Sequence, residues 1–434
     1  MSGSTSVRER PGATRVGLFG LLGMGNIGND ACLESMVRYL RADHPDAVLD
    51  AMCTGPERLR SHYGIDAVPL AWYQKHEQRV SGLAATALKA VGKGIDAFRT
   101  AAWVRRHDVV IVPGMGVLEA TVPMRAWWTP YSMLLVCASG RIFGTKVALV
   151  SVGANVIREP LMKRMFASAA RLAFYRSYRD ALSRDAMRQA GVDTENDQVY
   201  PDLAFALSVP PGESGVTGPD HRSPPTVGVG VMAYYGANCD RGYADQLHAS
   251  YVEKMERFVR WLVDSGHRVR MFGGDNNDDD LVHEILADVR AHRPDLDPTW
   301  VVAEIVTTFD ALVCAIAPVD TAVAIRYHNV LCALKLSKPT LSIGYAAKHN
   351  ALMADMGLSE FCQSARTLDV DQLIEQFKEL ESRSGRLRQT MAERNAEKVR
   401  LLDHQFAELS RLLFPADEPV RPVAEHEPVD ETIH

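Results

Sequence analysis

The sequence predicts an α/β protein made of two doubly wound domains of similar size with a cleft between them. Three observations carry that expectation. Short apolar, strand-like runs alternate with amphipathic helical patterns along most of the chain, the signature of parallel sheets flanked by helices. The alternation breaks at residues 209–226 (VPPGESGVTGPDHRSPPT), where Pro, Gly and Ser dominate and an interdomain linker is expected. The 434 residues exceed what one hydrophobic core usually organises, and 47% hydrophobic with 24% charged residues is ordinary globular composition.

Residues 1–14 are polar and contain Pro and Gly; a disordered tail is expected, with no apolar segment of the kind a signal peptide needs. The first domain, 15–208, opens with a strand-like run at 15–22 and a helical pattern at 31–43. Further strand-like runs follow at 47–53, 109–113, 147–153 and 173–178, with helical patterns at 163–174 and 180–190. The second domain, 227–385, has strand-like runs at 227–232, 269–273, 311–316, 321–325 and 339–343, with helical patterns at 251–265 and 329–336. A long terminal helix is expected at 386–413, followed by a Pro- and acid-rich disordered tail at 414–434. Ligands in open α/β sheets sit beyond the carboxyl ends of strands, so functional residues are sought at strand-to-helix turns.

Composition narrows the partners. The formal net charge is -6, and no nucleic-acid-binding signature is present, so a small molecule or carbohydrate is the expected ligand class. The seven cysteines are scattered and form no CxxC pair, as suits reduced thiols in a cytoplasmic protein. The histidines lack HExxH or paired-ligand spacing, so no metal is expected. The longest charge-free apolar stretch, 126–140, falls short of the ~18–20 residues of a membrane span. Peripheral membrane contact is an alternative reading of two features that otherwise fit solvated helix and aromatic packing. One is the basic amphipathic stretch 74–99, with Lys75, Arg79, Lys89, Lys93 and Arg99; the other is Trp127-Trp128. The acidic run from Asp275 to Asp280 lacks the Gly and Glu of a calcium loop and is expected to start a helix.

The first strand runs into Gly23-Met24-Gly25-Asn26-Ile27-Gly28, a literal G-x-G-x-x-G, with Asp50 about 20 residues on as a dinucleotide site asks. Against that reading, Asp30 places a carboxylate in the first helical turn, where it would repel a pyrophosphate. Two readings stay open: a tight turn with Asp30 complementing the helix dipole, or a sugar- or donor-binding role for Asn26 and Asp30.

Four further groupings occur in order. They are Gly25-Asn26-Ile27-Gly28-Asn29-Asp30-Ala31; Tyr178-Arg179-Asp180-Ala181-Leu182-Ser183, with Ala190-Gly191-Val192 and Pro201-Asp202-Leu203-Ala204-Phe205 behind it; Ile325-Arg326-Tyr327-His328-Asn329; and Lys338-Pro339 leading to Gly344-Tyr345-Ala346-Ala347-Lys348. The turn Pro113-Gly114-Met115-Gly116 precedes the second. In order and spacing these segments resemble the polysaccharide pyruvyl transferase family, departing from its usual pattern at Asn29 and Pro113.

The resemblance implies two Rossmann-like domains in a GT-B-like arrangement. It also implies transfer of pyruvyl from phosphoenolpyruvate to sugar hydroxyls of a cell-surface glycan or its lipid-linked precursor, forming a ketal. Phosphoenolpyruvate is then a co-substrate and no cofactor is expected. A donor carrying carboxylate and phosphate needs cations, which Arg supplies bidentately. Protonation of the enol carbon needs a general acid, for which His is suited. On the resemblance, Arg326 binds donor and His328 is the general acid, two residues apart in extended chain and so facing one ligand. Arg179 is a second donor cation or else a surface pair with Asp180. Lys348 meets the phosphate or is a solvated lysine, and Tyr345 is packing or a sugar platform. Rival readings are a GT-B glycosyltransferase using a nucleotide sugar, an NAD-dependent oxidoreductase, and a non-catalytic carbohydrate-binding relative.

Overall fold

Strands that are buried on both faces belong in a parallel sheet covered by helices on two sides, and several strands here are buried along their whole length. Examples are Val109–Pro113, Thr321–Ala324 and Thr340–Gly344. In the computed structural model, which describes residues 13–72, 82–120, 126–209, 224–236, 240 and 242–414, these strands build two parallel sheets. The expected tails at 1–12 and 415–434, and residues 210–223 of the expected linker, lie outside the described residues.

The first sheet comprises β1 (Arg15–Gly20), β2 (Val48–Cys53), β3 (Asp66–Pro69), β4 (Val109–Pro113), β5 (Lys146–Val152), β6 (Tyr175–Tyr178) and β7 (Gln198–Val199), in the order β3-β2-β1-β4-β5-β6-β7. Its helices are α1 (Ile27–Asp43), α2 (Pro56–Arg58), α3 (Gly82–Val104), α4 (Thr129–Phe143), α5 (Pro160–Leu172) and α6 (Ala181–Gln189). The second sheet has β8 (Thr226–Gly230), β9 (Arg268–Phe272), β10 (Val301–Glu304), β11 (Thr321–Ala324), β12 (Thr340–Gly344) and β13 (Cys362–Ser364), in the order β10-β9-β8-β11-β12-β13. With it go α7 (Ala244–Asp264), α8 (Asp279–His292), α9 (Phe309–Ile316), α10 (Tyr327–Lys335), α11 (Ala347–Asp355), α12 (Val370–Ser382) and α13 (Ser384–Leu413). Both sheets repeat the doubly wound 3-2-1-4-5-6 order, in which direction reverses beside the first strand and opens a crevice at the carboxyl ends. The crevices fall at β1/β4 and β8/β11, just where the chain continues into the glycine turn and into Arg326.

One expected strand is a helix. Residues 311–316 lie in α9, which Thr308 starts by accepting a hydrogen bond from the Ala311 amide on its hydroxyl, 3.1 Å. The run is apolar because the helix is buried; periodicity cannot separate a short buried helix from a buried strand. The other strand-like runs listed above contain strands of the sheets, and the acidic run does begin α8.

The terminal helix α13 joins the lobes. Near its start Arg388 donates to the Asp320 carbonyl and Asn395 to the Leu334 carbonyl, both in the second lobe. Further on, Gln405 is fully buried between Ser151 and Ser177 of the first sheet, Tyr39 meets Ser410, and Lys146 reaches the Leu412 carbonyl.

Candidate functional site

The first turn is closed by its own side chains. Asn26 caps α1, its Oδ1 accepting from the Asn29 amide at 3.2 Å. The buried Asp30 carboxylate accepts from the Gly23 amide at 2.9 Å and lies 3.4 Å from the Arg58 guanidinium. A carboxylate thus occupies the amide cradle in which a pyrophosphate would dock. Burial raises the Asp30 pKa, against the opposing pull of the Gly23 amide and Arg58. Asp50 lies within β2 and does not end it; its carboxylate takes the Trp103 indole N–H at 2.8 Å and the His107 ring at 2.9 Å. The turn therefore presents neither element of a dinucleotide site.

Arg179 follows β6 and is almost wholly buried between the lobes. Its Nη2 bonds Glu119 Oε1 at 2.5 Å, its Nη1 lies 3.6 Å from Asp202 Oδ2, and its Nε lies 3.5 Å from Asp180. Asp180 also caps α6 through the Ser183 amide, 2.7 Å. The guanidinium stacks 4.9 Å from the Tyr327 ring centroid, a residue of the second lobe. Lys348, also from the second lobe, donates to Glu119 Oε2 at 3.0 Å and sits 5.4 Å from the same ring. One carboxylate therefore holds a cation from each lobe. Burial favours the neutral Glu119 carboxyl, but Arg179 and Lys348 outweigh it and hold the pKa at about 2. Room for the pair is made by Gly153, where a Cβ would stand 2.4 Å from Arg179 Nη2 and 2.5 Å from Glu119 Oε1.

Arg326 and His328 do not form an extended pair. Arg326 is the N-cap of α10 and His328 lies in its first turn, so helical geometry sends the two side chains to different partners. Arg326 turns into the second lobe and grips Asp278 with Nε and Nη2, both at 2.7 Å. Asp278 is fully buried and also accepts from the Ala233 and Gly274 amides. This pairing leaves the Nη1 edge of the guanidinium outside the Asp278 bond. His328 crosses to the first lobe. Its ring lies against Gly28, where a Cβ would be 1.9 Å from Nδ1, and its Nε2 is 3.6 Å from Asp202 Oδ2. Asp202 is buried; burial raises its pKa, but the His328 ring, Arg179 and the Ala204 amide together pull it far below the usual carboxylate range. Its other oxygen, Oδ1, lies 3.5 Å from the buried Cys32 thiol. Tyr345 is partly exposed and packs edge-on against His349, with ring centroids 4.5 Å apart.

Of the residues singled out in the sequence, Arg179, Lys348 and His328 thus meet in one interlobe network, and Arg326 flanks it. Asn26 and Asp30 build the turn that supports α1. A cleft of about 440 Å³ opens on the network, lined by Arg179, Asp202, Tyr327, Lys348, Asp355 and Lys398. Sequence reading did not single out Glu119, Asp278 or Tyr327. Glu119 stands outside every motif, Asp278 is one of four acids in the run 275–280, and Tyr327 sits between the Arg and the His of its motif. Among the described residues, Cys32, Asp202 and His328 are the group whose donor atoms lie close enough to share a metal ion, all within 4.8 Å of one another. No spacing rule reveals it, because 170 positions separate Cys32 from Asp202.

Similar proteins fit this architecture. Among solved structures, a glycosyltransferase from Rickettsia africae superposes with TM-score 0.56 at 10% identity, over 93% of this chain and all of that one. A UDP-GlcNAc 2-epimerase from Neisseria meningitidis bound to UDP-GlcNAc gives 0.55 at 8%, over 91% and 100%. MurG from Acinetobacter baumannii gives 0.50 at 11%, over 92% and 99%. At such identities the likeness is one of fold, two Rossmann-like domains in the GT-B arrangement. No curated protein sequence matches the chain. A family model described as polysaccharide pyruvyl transferase matches residues 26–346, from the cap of α1 to the start of α11 and through every strand from β2 to β12. The chain belongs to the polysaccharide pyruvyl transferase family.

Proposed function

We propose that this protein transfers the pyruvyl group of phosphoenolpyruvate to two hydroxyls of a sugar, forming a cyclic ketal and releasing phosphate. The observation that carries the reading is the meeting of Arg179, Lys348 and His328, drawn from both lobes, at the carboxyl ends of the strands. The donor is a small anion with two charged groups. Arg179, buried and pinned by Glu119, supplies a fixed positive charge. Lys348 is the more exposed of the two cations and can trade its Glu119 bond for a donor oxygen. Arg326, oriented by Asp278, offers its remaining N–H edge from the flank.

His328, beside the Asp202 carboxylate, is the proton source. It protonates C3 of the enol, C2 becomes electrophilic, and a sugar hydroxyl adds there. Phosphate then leaves and the second hydroxyl closes the ring. No step calls for a cofactor. A glycan acceptor follows from the family; a lipid-linked form of it would bring this cytoplasmic enzyme to the inner face of the membrane. Trp127 and Trp128, exposed on the first lobe, suit peripheral contact there. No helix among the described residues is long and apolar enough to cross a membrane.

The test is phosphate release from phosphoenolpyruvate in the presence of a panel of lipid-linked and nitrophenyl glycosides, with products weighed by mass spectrometry. An acceptor-dependent gain of one pyruvyl ketal is expected. Glycosyl transfer from a UDP-sugar, with no use of phosphoenolpyruvate, would overturn the proposal.

A further inference from the structure

We propose that Cys32, Asp202 and His328 form a site for a thiophilic divalent cation of the zinc class, and that its occupancy switches the enzyme off by taking the imidazole that transfer uses. The second half rests on the pyruvyl-transfer reading; the first does not.

The geometry comes first. The Cys32 thiol, an Asp202 oxygen and a His328 ring nitrogen lie within 4.8 Å of one another. Sγ is 3.5 Å from Oδ1, and Nε2 is 3.6 Å from Oδ2. Zinc bonds of about 2.3 Å to sulfur and about 2.0 Å to nitrogen or oxygen give tetrahedral ligand-to-ligand edges of about 3.3–3.6 Å. The two measured separations are close to these edges, and they run to the two oxygens of one carboxylate, which thus faces the thiol with one and the imidazole with the other. The separation of Nε2 from Oδ2 is also too long for a hydrogen bond, and both atoms are buried without a hydrogen-bond partner. Buried polar atoms left open toward one another, with a thiol alongside, are what a cation would satisfy.

The donor set selects the metal class. One sulfur, one imidazole and one carboxylate favour zinc over magnesium or calcium, which take oxygen ligands. Three protein ligands leave a fourth position, as in zinc sites that hold a water. Binding breaks the Cys32 S–H bond, forms a metal–sulfur bond and sends the proton to solvent; no oxidation is involved. Thiolate and carboxylate then balance the two charges of the ion. Arg179, 3.6 Å from Asp202, opposes a cation, but its guanidinium also faces Glu119 at 2.5 Å and Asp180 at 3.5 Å, which offset part of that charge. Cys32 and Asp202 belong to the first lobe and His328 to the second, so a bound ion also ties the lobes together. His328 is the least buried of the three and marks the way in.

The experiment uses the full chain freed of metal with a chelator. Zinc is titrated in competition with a chromophoric chelator, and cobalt(II) is titrated separately. Wild type is expected to take one equivalent of zinc, and its cobalt form to show a thiolate-to-cobalt charge-transfer band. Cys32→Ser and Cys32→Ala, checked for an unchanged melting curve, are expected to bind at least tenfold more weakly, to lose the band and to keep their turnover. Zinc is expected to abolish phosphoenolpyruvate turnover in wild type but not in Cys32→Ser, with the chelator restoring it. Absence of stoichiometric binding, or equal binding by both Cys32 variants, overturns the site. Stoichiometric binding with undiminished turnover overturns the switch. A chain that binds zinc through Cys32 yet never consumes phosphoenolpyruvate supports the site and sinks the transfer reading instead.

Discussion

The chemistry of this cleft is decided by which charges are fixed and which can move. Glu119 and Asp278 are buried carboxylates that each hold a cation, and removing one partner of a buried pair leaves the other uncompensated. Glu119→Gln is expected to cost on the order of 3–5 kcal/mol of stability, read by denaturant unfolding. Its pH dependence has a definite sign. The Glu119 pKa is about 2 in the folded protein against an ordinary 4.5, so its stabilising share is present above 4.5 and is lost as pH falls toward 2. Glu119→Gln should flatten the stability profile through that window; an unchanged acid limb would contradict the assignment. His328→Gln is expected to lower turnover by about 10²–10⁴-fold, the range for a lost general acid, with an unaltered melting temperature. At this scale the sequence shows the chemically active types, because His328, Arg179 and Lys348 stand in ordered motifs. It hides their partners: Glu119 reaches Lys348 across 229 positions, and no local pattern encodes such a contact.

Elements position these residues by close approach. The start of α10 passes so near the start of α1 that Gly28 is needed where the His328 ring lies, a Cβ there falling 1.9 Å from Nδ1. Gly28→Ala is expected to displace the ring and cost about 10²-fold in turnover, as misplacement of a catalytic group does, with only modest loss of donor affinity. Full activity in that variant would show that the ring has another resting place. The same closeness explains what the glycine fingerprint is for. Its glycines serve the turn and the approach of another helix, and Asp30 fills the anion cradle. Elements themselves were legible wherever alternation was long and clear. The exception, α9, is short, apolar and buried, a case in which burial erases the periodicity that distinguishes helix from strand. The extended reading of Arg326 and His328 failed for a related reason: β11 stops at Ala324, and the helix begins three residues later, at Tyr327.

At the scale of the whole molecule, two sheets of like topology make the site only when their lobes are held together, and α13 is the tie. Gln405 is buried between Ser151 and Ser177, accepting from one hydroxyl at 3.0 Å and donating to the other at 2.8 Å. Gln405→Leu would leave both hydroxyls underserved and is expected to destabilise the protein by about 1–3 kcal/mol, seen as a lowered denaturation midpoint. The two-lobed architecture was readable because both halves share one style of alternation, broken once near the middle. Their mutual placement was not, since it depends on contacts such as Lys335 to the Phe205 carbonyl and Arg58 to the Thr307 carbonyl, each made between distant segments. The central claim is that this placement assembles a binding site for a small dianionic enol phosphate. Equilibrium titration of phosphoenolpyruvate into wild type, His328→Gln and Lys348→Met tests it most directly. Saturable binding is expected in wild type, near-equal affinity in His328→Gln, and at least tenfold weaker binding in Lys348→Met; no saturable binding by wild type, or equal affinity in Lys348→Met, would contradict it.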